Sequence, residues 1–327
     1  MNRDKILIFT NKDDPHTDGL IDLAIKLNVA EKIIRVNTED ILTNTIFSFN
    51  SDLGFTITLN DSKRKISDSE VLSVWYRRPE KVETAHLKNN DIEDFVQGQI
   101  NSLLIGIYIY LESKSTFVSP LFSLRRASFK LPQLMLAKQV GFKIPKSIIT
   151  NNPDDVDVFF NENSIISTKS IDSPNFHYNG INYPIYNRKL KSYEEIINNY
   201  ESIRMCPTYF QEFIEKKFDI RVIVIGENVF AFKIESQNNE FSKEDFRGVS
   251  ADLLSHSIYQ LADSDIDKIL KFTKLQNLNF SAMDFVLSEN DELIFLENNP
   301  NGQWMWLEYA TKFPLTEKML NYLLDPK

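Results

Sequence analysis

The chain opens on a short apolar run, Lys5 to Phe9. A polar loop follows, then a segment from Leu20 to Leu27 with apolar residues at helical spacing, then a second run from Ile33 to Val36. That alternation of strand-like and helix-like spacing is the start of an α/β unit. Val71 to Tyr76 reads as another buried strand, ending abruptly in Arg77, Arg78 and Pro79. Ile92 to Leu111 carries a long helical pattern with few breakers, and Phe117 to Pro120 reads as a closing strand. Together these predict a first α/β domain over residues 1–120.

Leu124 to Val140 predicts a further helix, with Gly141 where a C-cap belongs. From Ile144 to Pro207 the segments shorten to Val156 to Phe160, Ser164 to Thr168, and Phe176 to Arg188. Within the last of these, Asn179-Gly180 lies between strand-like flanks, which is a strong hairpin signal. Ile220 to Ile225 and Val229 to Ile234 flank a turn at Gly226-Glu227-Asn228, and Ser281 to Leu287 and Leu293 to Leu296 flank Ser288 to Asp291. The expected architecture is therefore an α/β N-terminal domain, a small α+β central domain over residues 121–207, and an α+β C-terminal domain over residues 208–327 built on an antiparallel sheet.

Composition narrows the function. At 327 residues the chain exceeds what one core usually organises, and a hydrophobic fraction of 42% supplies enough apolar material for several. A net charge of -9 argues against nucleic acid as a main partner, because phosphate binding needs a basic surface. The single Cys206 excludes an internal disulfide or a cysteine zinc cluster and fits a reducing compartment. The N-terminus carries no signal-peptide pattern, and the longest apolar stretch, Leu103 to Leu111, is about half of a bilayer span. These features lead us to expect a cytoplasmic protein with no membrane partner.

Several common chemistries are absent. There is no P-loop, no Gly-x-Gly-x-x-Gly after the first strand and no Gly-x-Ser-x-Gly elbow, and the four histidines have no zinc-ligand spacing. A nucleotide enzyme built on this chain must hold phosphates with lysines, arginines and metal. The segment from Asp284 to Asn299 supplies the means. Strand alternation puts Glu297 and Asn299 on one face, and the hairpin brings Asp284 alongside them. Three oxygen ligands on adjacent strands suit magnesium, which keeps part of its shell for phosphate and water. Acidic residues at strand ends are more often simply solvated, and for Asp284 alone that reading is preferred. The neighbouring Phe285, Phe295, Trp304 and Trp306 make an unpaired carboxylate costly and favour metal. Lys130 and Lys169, taken singly, are more often surface lysines than ligands.

Taken in order, these residues resemble the ATP-grasp superfamily over nearly the whole chain. Lys130 falls where the family's first nucleotide lysine lies and Thr168-Lys169 where the second does. Gln211-Glu212-Phe213-Ile214 resembles the adenine hinge, followed by Asp219-Ile-Arg221, and Asp284, Glu297 and Asn299 match the metal set. A narrower likeness is carried by Trp75-Tyr-Arg-Arg78-Pro, Phe232-Lys-Ile-Glu-Ser-Gln237, Asp245-Phe-Arg247 and Glu297-Asn-Asn-Pro-Asn-Gly-Gln-Trp304. These resemble the microviridin-type ligases that make graspetides by joining side chains within a ribosomally made precursor peptide. Phe246 stands where that family's Asp-Trp-Arg motif has tryptophan.

The resemblance implies ATP and Mg2+ as cofactors and a precursor peptide, leader plus core, as partner. It implies Lys130, Lys169 and Lys233 near the phosphates, Glu212 and Ile214 offering backbone bonds to adenine, and Asp284, Glu297 and Asn299 on one or two magnesium ions. Arg221 and Arg247 are the candidates to steady the transferring phosphoryl group and the substrate carboxylate, since a guanidinium fork fits both. Surface ion pairs with Asp219 and Asp245 are the alternative for these arginines. Arg78 is expected along the peptide groove. Phe176, Tyr178, Tyr183 and Tyr186 on the hairpin, with Arg188, are expected to read the leader. The expected product is an ester to Ser/Thr or an amide to Lys, with ester preferred, and a homodimer stays open. A ligase adding a single amino acid to a carboxylate and a non-catalytic peptide-binding scaffold are the alternatives.

Overall fold

The computed structural model describes residues 3–172, 175–179, 181–185 and 187–326. Its first sheet is parallel, in the order Ile33–Asn37, Lys5–Thr10, Val71–Tyr76 and Thr116–Phe117. Every residue from Ile6 to Thr10 is buried because the sheet is covered on both faces. Leu7 and Phe9 join a core with helix Asn90–Glu112, while Ile6 and Ile8 point the other way. That second face packs on helix Pro15–Lys26 and on Trp304, Met319 and Leu320 from the end of the chain. The N-terminal and C-terminal regions therefore share one hydrophobic core.

Three local features differ from expectation. An antiparallel sheet of Thr45–Asn50, Gly54–Leu59 and Lys65–Ser67 covers the first core, and the closing strand is only Thr116–Phe117. The helix expected from Leu124 to Val140 is broken into Leu121–Ala127 and Lys130–Val140. Phe129 is extended between them, and the Gln133 amide donates to the freed Ala127 carbonyl at 2.5 Å. Lys130 is thereby the first residue of a new helix. Gly141 closes that helix at φ 94°, the left-handed cap read from the sequence.

The central sheet is antiparallel, in the order Arg188–Leu190, Ile166–Lys169, Thr208–Glu212, Ser147–Thr150. Its third strand comes from beyond residue 207, where the central domain was expected to end. A separate ribbon pairs Asn175–Tyr178 with Ile181–Pro184, turning at Asn179 with φ 48°. Gly180 and Tyr186 lie outside the described residues. The C-terminal sheet runs His256–Tyr259, Asn228–Ile234, Lys216–Ile225, Phe280–Ser288, Leu293–Asn299, all antiparallel. Ile220, Val222, Met283 and Phe285 bury one of its faces, where Ala137 and Val140 of helix Lys130–Val140 and Ile269 and Phe272 of helix Asp263–Leu275 join them. The other face is partly packed through Ile223, Ala282 and Phe280. Its remainder carries Asp219, Arg221, Asp284 and Glu297. Among the described residues, no helix is long and apolar enough to cross a membrane.

Candidate active site

Sheet register assembles the charged centre. Asp284 is paired across the sheet with Arg221 on one side and Glu297 on the other. Arg221 Nη1 donates to both Asp284 oxygens at 2.8 and 2.7 Å. Glu297 accepts from Lys130 Nζ at 2.7 Å, so the helix that begins at Lys130 delivers its first side chain to the strand end. Asn299 is directly opposite Ala282, on the same face, and its side-chain oxygen accepts from the Asn301 amide at 3.1 Å.

Burial and mutual charge set the protonation of this cluster. Burial and the neighbouring Glu297 raise the Asp284 pKa, against the pull of Arg221. Burial acts the same way on Glu297, but Lys130 and Lys169 outweigh it and hold its carboxyl down at about 2. Lys169, at the end of its strand, is pulled down to about 8 by burial and by Lys130 and Arg247. The charge on Lys169 thus changes near neutral pH.

Three cavities meet here. One of about 400 Å³ is lined by Arg78, Arg221, Arg247, Asp284, Glu297 and Asn299. A second of about 230 Å³ shares Arg247, Glu297 and Asn299 with it and adds Lys130 and Lys169. A third of about 40 Å³ shares Lys169 and continues along Gln211, Glu212, Phe213, Ile214 and Lys216. In that hinge the Glu212 amide already donates to the Lys146 carbonyl and the Phe213 amide to Ile165. Among the described residues the Ile214 amide makes no hydrogen bond. The hinge groups left able to bond a purine edge are thus the Glu212 carbonyl and the Ile214 amide.

Two carboxylates and a carboxamide oxygen, adjacent on neighbouring strands, fit a magnesium ion that completes its shell with phosphate and water. Burial first, and then Glu297, push the Asp284 pKa up, and a divalent cation would oppose both. Among the described residues no group of three or more His, Cys, Asp or Glu forms a metal site, so the set depends on Asn299.

Other expected residues stand apart. Lys233 pairs in register with Ile220, whose side chain is in the opposite core, and its Nζ binds Glu235 at 2.5 Å and lies 4.2 Å from the Phe218 ring centroid. It is on the wrong face of the sheet for phosphate. Asp219 is buried beside the hinge and is bound by Lys216 Nζ at 2.8 Å, so it orients that lysine. Arg221 forms no surface pair with Asp219, whereas Arg247 does bind Asp245, at 2.6 and 2.9 Å, while still lining both larger cavities. On the ribbon, Phe176, Tyr178 and Tyr183 are 55%, 57% and 46% exposed, and the register sets Phe176 opposite Tyr183. Arg188 is exposed, 3.9 Å from Glu195.

Sequence reasoning missed Lys216 and a support beneath the site. Arg77 is fully buried, and its Nη1 donates to the Asn301 carbonyl at 2.7 Å and the Asn301 side-chain oxygen at 3.0 Å. His16 Nε2 accepts from the Trp304 amide at 3.1 Å. Two adjacent arginines at a strand end point to opposite faces, which was the available signal. Arg78 lines the cavity, where the Gln303 side-chain oxygen accepts from its Nη1 and Nη2 at 3.0 and 2.9 Å.

Comparison with known proteins gives this geometry a family. A RiPP-associated ATP-grasp ligase from Chryseobacterium gregarium, solved with ADP and a leader and core peptide, is similar with a TM-score of 0.88 and 26% identity. The similarity covers 100% of this chain and 98% of that one. The macrocyclase MdnC of Microcystis aeruginosa MRC, solved bound with precursor peptide MdnA, is similar with a TM-score of 0.82 and 25% identity, covering 98% and 99% of the two chains. Among curated proteins, the putative ankyrin repeat protein R858 of Acanthamoeba polyphaga mimivirus is 23% identical over 192 residues, which are 58% of this chain and only 39% of the relative's length. Residues 127–323 match the RimK-like ATP-grasp domain. That match takes in more than half of the sequence, from just before Lys130 to well past Asn299, and the chain belongs to the RimK-like ATP-grasp family.

Proposed function

We propose that this protein is an ATP-dependent peptide macrocyclase. It activates an Asp or Glu side chain of a ribosomally made precursor and joins it to a Ser or Thr hydroxyl, or to a Lys amine, of the same peptide. The observation that carries the reading is the junction at Glu297 and Asn299, where a lysine-lined cavity and an arginine-lined cavity meet. Phosphoryl transfer to a carboxylate brings two anions together, and this junction provides cations on both sides. The likeness to two peptide-bound ligases supports a peptide as the substrate.

In this reading Lys130 and Lys169 bind the nucleotide phosphates, and the Glu212 carbonyl and Ile214 amide bind adenine, with Gln211, Phe213 and Asp219 shaping that pocket. Asp284, Glu297 and Asn299 hold Mg2+, which when bound screens the phosphates from the incoming carboxylate. Arg221 and Arg247 orient the substrate carboxylate. One of its oxygens attacks the terminal phosphorus, and ADP leaves. The hydroxyl or amine then attacks the acyl carbon, the bond to the phosphate oxygen breaks, and the proton on the nucleophile is lost as inorganic phosphate departs. Arg78 lines the core-peptide groove, and the exposed ribbon of Phe176, Tyr178 and Tyr183, with Arg188, receives the leader. The free, exposed Cys206 is consistent with a cytoplasmic setting.

The test is mass spectrometry of a Ser/Thr- and Asp/Glu-rich peptide encoded beside this gene, after incubation with enzyme, ATP and Mg2+. The expected product has lost one water mass per ring. Gain of an amino-acid residue mass identifies the single-residue ligase instead. An unchanged peptide with no ADP released identifies a scaffold, and either result overturns the proposal.

A further inference from the structure

The turn that follows the last metal-set residue is held from the other end of the chain. Asn299 is followed by Pro-Asn-Gly-Gln-Trp, and Asn301 reaches back, its backbone amide donating to the Asn299 side-chain oxygen at 3.1 Å. Gly302 lies so close to the site that a Cβ there would stand 2.8 Å from Arg221 Nη2. Anything that fixes residues 301 and 302 therefore fixes Asn299 and Arg221.

That fixing comes from Arg77. Its Nη1 donates to the Asn301 carbonyl, the Asn301 side-chain oxygen and the Gly302 carbonyl at 2.7, 3.0 and 3.3 Å. The Asn301 side-chain amide donates in return to the Arg77 carbonyl. The guanidinium lies against Trp75 and Trp304, 5.7 and 5.4 Å from the ring centroids. Asp14 Oδ1 is its nearest counter-charge at 3.8 Å, and Asp14 is itself fixed by Thr10 and Thr17 at 2.7 and 2.6 Å. His16 Nε2 accepts from Trp304 and Met305 amides at 3.1 and 3.4 Å and holds the far end of the turn.

This arrangement is poor as a stability device. Arg77 is 0% exposed, yet its Nε and Nη2 have no hydrogen-bond partner among the described residues. The two idle donors of this cation are a standing cost, although removing Arg77 alone would leave buried Asp14 without its counter-charge. Its remaining donor is spent wholly on the turn. We infer that Arg77 is a positioning residue, through which the N-terminal domain presets Asn299 and Arg221 at the metal and phosphoryl end of the site. This inference rests on the metal assignment proposed above.

The experiment compares Arg77→Met, Asn301→Ala and Glu297→Gln with the parent, using full-length protein. Two quantities are measured: the rise in melting temperature produced by ADP as a function of Mg2+ concentration, and the Mg2+ concentration giving half-maximal ring formation. Arg77→Met is expected to melt lower than the parent without ligand, because buried Asp14 and the turn carbonyls lose their partner, so each protein's ADP-induced shift is read from its own ligand-free melting temperature. It should need about fivefold or more Mg2+ for the same ADP-induced shift, a change of about 1 kcal/mol in binding. Asn301→Ala, altered from the side of the turn on a half-buried residue, should move the Mg2+ requirement in the same direction. It decides the matter if Arg77→Met does not fold. An unchanged Mg2+ requirement in a folded Arg77→Met, or in Asn301→Ala, overturns the inference. Glu297→Gln separates the two layers: if it too leaves the Mg2+ dependence intact, the metal assignment has failed, and if it alone shifts, only the role of Arg77 has.

Discussion

Nucleotide binding to this enzyme should take up a proton above pH 8, and Lys169 should be the group that takes it. Burial, with Lys130 and Arg247 adding to it, brings Lys169 down to about 8 in the empty site. At pH 7 roughly nine-tenths of the molecules carry the charge, and at pH 9 roughly one-tenth do. Phosphate oxygens placed against Lys169 favour its charged form and raise its pKa. With the bound pKa above 10, affinity for MgADP falls about tenfold from pH 7 to pH 9, or about 1.4 kcal/mol. Phosphate ionisation, complete well above about pH 6, does not contribute over that range. Calorimetric titration at pH 9 in two buffers of different ionisation enthalpy measures the uptake directly, and close to one proton per site is expected. Lys169→Met should abolish both the uptake and the pH slope, besides weakening binding at pH 7. The same substitution should stabilise the empty protein. Lys169 is easier to protonate in the unfolded chain, so its burial costs stability in full below pH 8. That cost, up to about 3 kcal/mol, fades as pH rises toward the unfolded pKa of about 10.4. No proton uptake at pH 9, or equal uptake by Lys169→Met, refutes the assignment of Lys169 to the phosphates.

Three further outcomes follow from the geometry. Gly302→Ala forces a Cβ to within 2.5 Å of the Ala282 Cβ and 2.8 Å of Arg221 Nη2, so thermal melting should show a loss of about 1–3 kcal/mol, and the ring-forming rate should drop with the displaced arginine. Lys233→Met should leave ADP affinity within about twofold of the parent by calorimetry, because its ammonium is held by Glu235 away from the site. Replacing Tyr178 and Tyr183 together by serine should weaken precursor binding by about 1–3 kcal/mol in fluorescence anisotropy while leaving ADP affinity unchanged; unchanged precursor binding would remove the ribbon from leader recognition.

What the sequence made legible divides along a physical line. Strands buried on both faces, such as Lys5–Thr10 and the second half of Lys216–Ile225 from Val222 onward, are nearly continuous apolar runs and declare themselves. Hairpin turns around Asn179 and before Leu293 were equally plain, and the second fixed the pairing of Asp284 with Glu297. The sheet of Thr45–Asn50, Gly54–Leu59 and Lys65–Ser67 was missed although Phe55-Thr-Ile57-Thr-Leu59 alternates strictly, because its first strand is mostly exposed and its third has only three residues. The break before Lys130 was available in Pro132, which has no amide hydrogen and crowds the carbonyl four residues back, and the contacts of Gln133, which also binds the Asn298 carbonyl at 2.8 Å, hold the new helix start in place. Lys233 was misplaced although alternation was available: it follows Phe232, whose side chain faces the other core, and pairs with Ile220. Arg77 and Arg78 were indistinguishable as letters, and only the packing of the two ends of the chain separates a buried strut from a cavity wall.

The charged centre also shows why ligand-binding cations are placed on carboxylates rather than left free. Asp284 and Glu297 sit opposite each other on neighbouring strands in a largely dry setting, with side chains 14% and 28% exposed. Left alone, two such carboxylates would repel and one would protonate, destroying the metal set. Arg221 and Lys130 neutralise one each, and Glu297 stays ionised as a result. Those pairs add little net stability, because desolvation offsets most of the attraction. Their effect is to hold Glu297 charged, to oppose the upward push on Asp284, and to orient both carboxylates. On the proposed assignment, a divalent ion held by the carboxylates would leave the same two cations available to the phosphates and to the substrate carboxylate. Removing either cation therefore acts twice, leaving a buried charge unpaired in the empty protein and a phosphoryl group unsupported in the loaded one.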